Sequence, residues 1–190
     1  LAAIVKNKGD ITNDLTISEI ATTINDFTNA IDEIISKSIK EYSNTNAKGV
    51  RMQLFQSCAS LTSVNLPACI SIGNNAFYSC RRLASISFPA CTSIGNGAFS
   101  NCYALTSVNF PECISIGNVA FGSCTSLASV NFPVRISIGN SAFCSCYALT
   151  SVNFPECISI GNSAFCSCRS LTSVSFPACQ TMSSYAFRSC

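Results

Sequence analysis

The chain has 190 residues, 48% hydrophobic and only 11% charged, with fourteen cysteines and neither histidine nor tryptophan. Residues 1–50 carry five lysines against seven acids, whereas residues 51–190 carry six arginines against Glu112 and Glu156 alone. Charges this sparse make no basic stripe for a phosphate backbone, which argues against nucleic acid, and no apolar run approaches the ~18–20 residues of a membrane span.

The chain starts at Leu1 without Met and stops at Cys190 partway through a repeat, so a processed or trimmed fragment is expected. Leu1 to Lys8 read as a short helix closed by Gly9. Thr16-Ile17-Ser18-Glu19 is a capping box that opens a helix expected to run to about Tyr42. Its apolar residues, Ile17, Ile20, Ile24, Phe27, Ile31 and Ile34, alternate in steps of three and four. Isoleucine at both core positions of a heptad leans toward trimers or tetramers, so one reading is a homo-trimer through residues 17–34. The other is a helix that folds onto Leu1–Val5 or caps the first repeat. Asn44 to Gly49 reads as a linker, which divides the chain into a helical segment (1–46), a linker (47–52) and a repeat region (53–190).

In that region Phe55 and Cys58 recur together every 22 residues as far as Phe187 and Cys190. A fixed period in this range marks a solenoid, in which each repeat is one coil stacked on the next. Leu61 and Val64 head apolar columns, as does Leu66, which is Phe in the later repeats. Polar Asn65 lies between the last two, the alternation of a half-buried strand. Each of the six prolines follows that strand and ends it, having no N–H to pair. A second short extended piece runs to Ile72, with columns 69 and 72 expected inside. Arg135 is the exception in column 69, and its stem is expected inside with its head in water. Gly73-Asn74 then supplies a left-handed turn and a cap. Ala76-Phe77-x-x-Cys80 reads as one short helical or 3₁₀ turn with both large side chains inward.

Cysteines in register once per coil are read as stacked buried thiols rather than a disulfide framework, which implies a reducing or anaerobic setting. Cys144 and Cys166 stand outside the two columns. With Cys146 and Cys168 they are the one arrangement suited to Zn²⁺ or Cu⁺, although the Cys-x-Cys spacing is atypical. A disulfide between Cys144 and Cys166 is favoured over metal, because stacked coils put their Cα atoms ~5 Å apart. No metal, cofactor or catalytic residue is assigned: cysteine and serine nucleophiles usually need a histidine base, and Glu112 and Glu156 have no cleft between them.

The stretch Ser93 to Pro111, with Ser-Ile-Gly-Asn, Ala-Phe-x-x-Cys and Leu-x-Ser-Val-x-Phe-Pro, resembles the BspA-type leucine-rich repeats of bacterial and protist surface proteins. Repeats in that family are commonly a residue longer and lack the added cysteine column. The resemblance implies an elongated, non-catalytic adhesion or recognition module on the cell surface or secreted. Leu1–Asn25 is also similar to a short element of phage and prophage tail proteins, which implies virion association. The fold expected is therefore an α+β repeat, a right-handed leucine-rich-repeat-like solenoid behind an N-terminal helical segment. Its expected partner is a protein or glycan on another surface, and its rival role is a structural spacer or oligomerising stalk. Variation concentrates beside the Phe and Cys columns, where Tyr78, Arg81, Arg82, Tyr103, Tyr147 and Arg169 are the candidate contacts, being residue types that dominate recognition hot spots.

Overall fold

The computed structural model of the chain describes residues 39–134 and 136–190. Over them the chain winds as a β-solenoid, each coil laying one strand on each of two stacks. The first stack begins with Glu41–Ser43, Ser63–Asn65 and Ser85–Ser87. It continues with Ser107–Asn109 and Ser129–Asn131, then Ser151–Asn153 and Ser173–Ser175. The second is a single seven-stranded sheet running from Gly49–Val50 to Thr181–Met182. All pairings are parallel, and at all but one position each residue faces the one 22 positions on: Val64 faces Ile86, and Ile72 faces Ile94.

The columns fall where their chemistry directs them. Val64 and Leu66 are buried while Asn65 between them is exposed. Leu66 still donates from its N–H to Ser87, and Pro67, which has no donor, then sits inside a turn closed from the Cys69 N–H to the Leu66 carbonyl at 3.1 Å. Cys69 and Ile72 are buried and Ile70 is half exposed; the second strand is Ser71–Ile72, and Cys69 lies before it at the end of the turn. Phe55, Phe77, Phe99, Phe121, Phe143, Phe165 and Phe187 form one stacked ladder with centroids 5.1–5.3 Å apart. Aromatic pairs of this kind contribute ~0.5–1.5 kcal/mol each beyond the area they bury, so the ladder is a principal tie between coils.

Four expectations give way. The solenoid starts earlier than residue 53. Tyr42 faces Val64 and Val50 faces Ile72, so residues read as helix and linker form a first coil, with Ile39, Tyr42 and Ala47 packed on the core. No helix occurs among the described residues. The remainder of the expected helix, with the 17–34 heptad and the tail-protein likeness, lies outside them.

The stretch from Gly73 to Cys80 is not a helical turn. The N–H groups of Asn75, Phe77 and Ser79 donate to the next coil, while those of Ala76, Tyr78 and Cys80 close turns onto Gly73, Asn75 and Phe77. A helix keeps its donors within itself; here alternate donors stitch the stack together. The left-handed positions are therefore Asn75 and Ser79 (φ 54° and 59°), and not Gly73.

Glycine is needed in the Gly73 column for space instead. A Cβ on Gly95 would lie 2.7 Å from the Asn74 N and Oδ1. That same Oδ1 accepts from the Asn96 N–H at 2.8 Å, so asparagine bonds coil to coil rather than capping its own turn.

Finally, column 69 shifts by one residue in the coil that lacks its cysteine. Ile136, fully buried, faces Cys157 across a bulge, after which Ser137 faces Ser159. The apolar side chain available one place later fills the cysteine slot. The expectation for the Arg135 side chain falls outside the described residues.

Candidate functional site

The turn that joins the Phe-Cys stretch to the first stack carries, coil by coil, Arg81, Tyr103, Thr125, Tyr147 and Arg169 in one column, exposed except at the half-buried Thr125. It is held from beneath by Cys80 and Leu83, and by their equivalents in every described coil up to Cys168, all fully buried except the half-buried Leu171. The backbone of the column is tied between coils: the Ala104 N–H donates to the Arg81 carbonyl, and the Ala148 N–H to the Thr125 carbonyl, both at 3.2 Å. These bonds bridge two of the junctions between coils, where the first stack breaks into separate ladders.

The side chains pair across neighbouring coils. The Arg81 guanidinium lies 5.6 Å from the Tyr103 ring centroid, and that of Arg169 lies 5.3 Å from the Tyr147 centroid. Such stacking is attractive, holds the long arginine chain in place, and leaves its N–H fork to the solvent. The two pairs run in opposite order, with arginines outermost and the small Thr125 between the tyrosines. Tyr103 and Tyr147 keep 38% and 41% of their surface exposed. The strand Ser107–Asn109 separates Tyr103 from Glu112, and Ser151–Asn153 likewise separates Tyr147 from Glu156, so these two acids follow the first strand of their coils rather than flanking the cations.

The remaining candidates are less closely joined. Arg82 is exposed beside Arg81, and Tyr78 is half-buried three residues before it. A pair absent from the candidate set, Arg188 over Tyr185 at 5.7 Å, repeats the motif within the last coil; its i, i+3 spacing was the available signal.

Cys144 and Cys166 are joined by a disulfide, their Cα atoms 4.6 Å apart. They stand three residues before Tyr147 and Arg169, so the bond clips together the two coils that carry that pair. Cys146 and Cys168 point away, donating to the carbonyls of Phe121 and Phe143, and the four sulfurs do not converge. Among the described residues no group of three or more His, Cys, Asp or Glu is placed to hold a metal ion. Burial pushes the Cys124 and Cys168 thiols up to about 12. A thiol that keeps its proton is a poor nucleophile, so burial slows the reaction of these two thiols.

A second, shallow hollow lies over the first strands, lined by Glu41, Ser43, Ser63, Asn65, Ser85 and Ser87 around Tyr42 and Val64. Apart from Glu41 its polar lining is Ser and Asn, and the same residue types continue along the first stack, where Asn131 donates to Asn109 Oδ1 at 2.7 Å. No helix among the described residues is long and apolar enough to cross a membrane.

The model of the BspA type leucine rich repeat region matches in six copies, over residues 10–114, 48–159 and 136–190. Among solved structures, the chain is similar to the leucine-rich repeat protein of T. pallidum, with 32% identity and a TM-score of 0.66 over 70% of this chain and 65% of that one. It is also similar to a leucine-rich repeat protein from Bacteroides ovatus, with 25% identity and a TM-score of 0.53 over 70% of this chain and 42% of that one. The chain thus spans less than two thirds of either. No curated protein matches it.

Proposed function

Because the chain belongs to the BspA type leucine-rich repeat family, we propose that it is a recognition module that binds a protein or glycan on another cell or host surface through the Arg81–Arg169 ridge. Its fold is a right-handed leucine-rich-repeat solenoid of about six 22-residue turns, and repeat regions of this type commonly serve as surface or protein-interaction modules. The observation that carries the reading is the mirrored pair of arginine–tyrosine stacks, held outward on a rigid frame with their acids elsewhere. A rigid, pre-paired side chain has little freedom left to lose on binding, which favours contact residues of this kind. The module works at the cell surface or after secretion, and the Cys144–Cys166 clip suits that setting.

The test is a screen of the chain against glycan arrays and cell-surface extracts, repeated with the Tyr103→Ala, Tyr147→Ala double variant. Binding by the parent and its loss in the folded variant support the ridge. Equal binding by both removes the ridge as the site.

A second reading rests on the isoleucine heptad from Ile17 to Ile34. In that reading the N-terminal segment trimerises and the solenoid extends reach as a spacer, whether on a cell or in a tail assembly. Light scattering that returns a monomer would remove it.

A further inference from the structure

The ridge has a length and a charge distribution, and both bear on what it fits. Coil spacing is 4.6 Å between the Cα atoms of the disulfide-linked Cys144 and Cys166, just under the ~4.7–4.9 Å of neighbouring strands. Arg81 and Arg169 are four coils apart, so their backbones lie about 19 Å from each other at ~4.7–4.9 Å per step. An extended peptide advances ~3.3 Å per residue, so a span of that length takes about six residues.

Between the two ends the surface is uncharged. Tyr103 and Tyr147 offer ring edges and hydroxyls, and Thr125 leaves a low point between them. A densely charged polymer would put most of its charges opposite this neutral centre, where nothing answers them. A chain with charge at two separated places and small or apolar residues between matches both ends and the middle. Each stacked guanidinium keeps a planar fork suited to a carboxylate.

We infer that the ridge binds an extended acidic peptide segment running along the solenoid axis. One carboxylate cluster sits at Arg81 and Arg82, another about six residues away at Arg169, and the intervening residues lie over Tyr103, Thr125 and Tyr147. The inference rests on the ridge being the recognition surface and specifies its partner.

The experiment is fluorescence anisotropy on the whole chain with a labelled peptide of two glutamates, a Gly-Ser-Gly-Ser centre and two glutamates. Controls are the same peptide with glutamine at both ends, with glutamate at one end only, and with the centre removed. A sulfated oligosaccharide serves as the alternative ligand. The two-ended peptide is expected to bind at least tenfold tighter than each control, weakening as salt is raised. Arg81→Gln and Arg169→Gln should each reduce it to the level of the one-ended peptide, with thermal unfolding unchanged.

Equal affinity for the glutamine or one-ended peptide overturns the inference, and so does insensitivity to both arginine substitutions. Tighter binding of the sulfated oligosaccharide also overturns it, in favour of an anionic glycan. If no peptide binds while the tyrosine double variant still abolishes surface binding, the inference fails and the ridge stands. If the double variant has no effect there, the ridge reading itself has failed.

Discussion

The thiol of Cys80 donates to the carbonyl of Phe55, 2.9 Å away and 25 residues earlier in the chain. The contact recurs from Cys102 to Phe77, and again at Cys124, Cys146 and Cys168, each at 3.2 Å. In the second column the thiol turns to its own coil, from Cys69 to the Ser71 carbonyl at 3.2 Å. Cysteine therefore does two things that alanine or valine cannot combine, filling a small apolar slot and donating to a buried carbonyl.

Stability should fall in alkali for this reason. Burial raises Cys80, Cys91, Cys124 and Cys168 from 9.0 to about 12, and Cys58, Cys113 and Cys157 to about 11. The folded state keeps protons that the unfolded chain releases. The stabilisation is complete below about pH 9 and is lost as pH rises toward 11–12. Urea midpoints should be level from pH 7 to 8.5 and then drop, with a shallower drop in Cys124→Ala. A midpoint unchanged to pH 11 would contradict the thiol assignment.

Val119 holds a left-handed backbone (φ 57°) at a position filled elsewhere by Asn75, Gly97 or Ser141. A β-branched residue is poorly suited to that region, at a cost of ~1–2 kcal/mol. Val119 is also 41% exposed, so little apolar burial is lost on replacement. Val119→Asn should stabilise the chain by about 1 kcal/mol in urea titration.

Gly117 should show the opposite response. A Cβ there would lie 2.6 Å from the Asn96 N and the Gly95 carbonyl carbon, both backbone atoms that have no rotamer to yield. Gly117→Ala is expected to destabilise by ~1–3 kcal/mol, the usual range for overpacking. A neutral result would mean the coils separate more easily than their hydrogen bonds imply.

Reducing the Cys144–Cys166 bond should also lower stability, by roughly 3 kcal/mol for a closed loop of this size. The check is unfolding with and without a phosphine reductant. The parent should respond and the Cys144→Ser, Cys166→Ser double variant should not.

Much of this was legible in the residues, because a solenoid repeats each packing decision and so averages away accident. The Phe, Cys, Val and Ile columns and the two strands followed from spacing alone. The first coil did not, because Ile39, Tyr42, Ala47 and Val50 keep the 22-residue step without the proline or the Gly-Asn that flag the later coils. Nor did the left-handed positions, since Gln53, Val119 and Tyr185 are not residue types that announce one. On the ridge, the exposed column was visible, but the stacking of Arg81 on Tyr103 depends on side-chain direction, which no periodicity encodes.

The asparagine rungs have a consequence for how such a chain changes length. Asn96, Asn118, Asn140 and Asn162 each donate a backbone N–H to the side-chain Oδ1 of the rung before, at 2.7–2.8 Å. Excising or duplicating one whole 22-residue unit re-forms every rung with an equivalent neighbour, whereas a change of one residue must be absorbed locally, as the bulge at Ile136 absorbs its shift. Residues 102–118 and 146–162 are identical in sequence, as tandem copying would leave them. Gain or loss of a whole unit between them would move Arg81 and Arg169 apart or together in fixed increments, so the protein is a gauge whose graduations are set by the thickness of its own backbone.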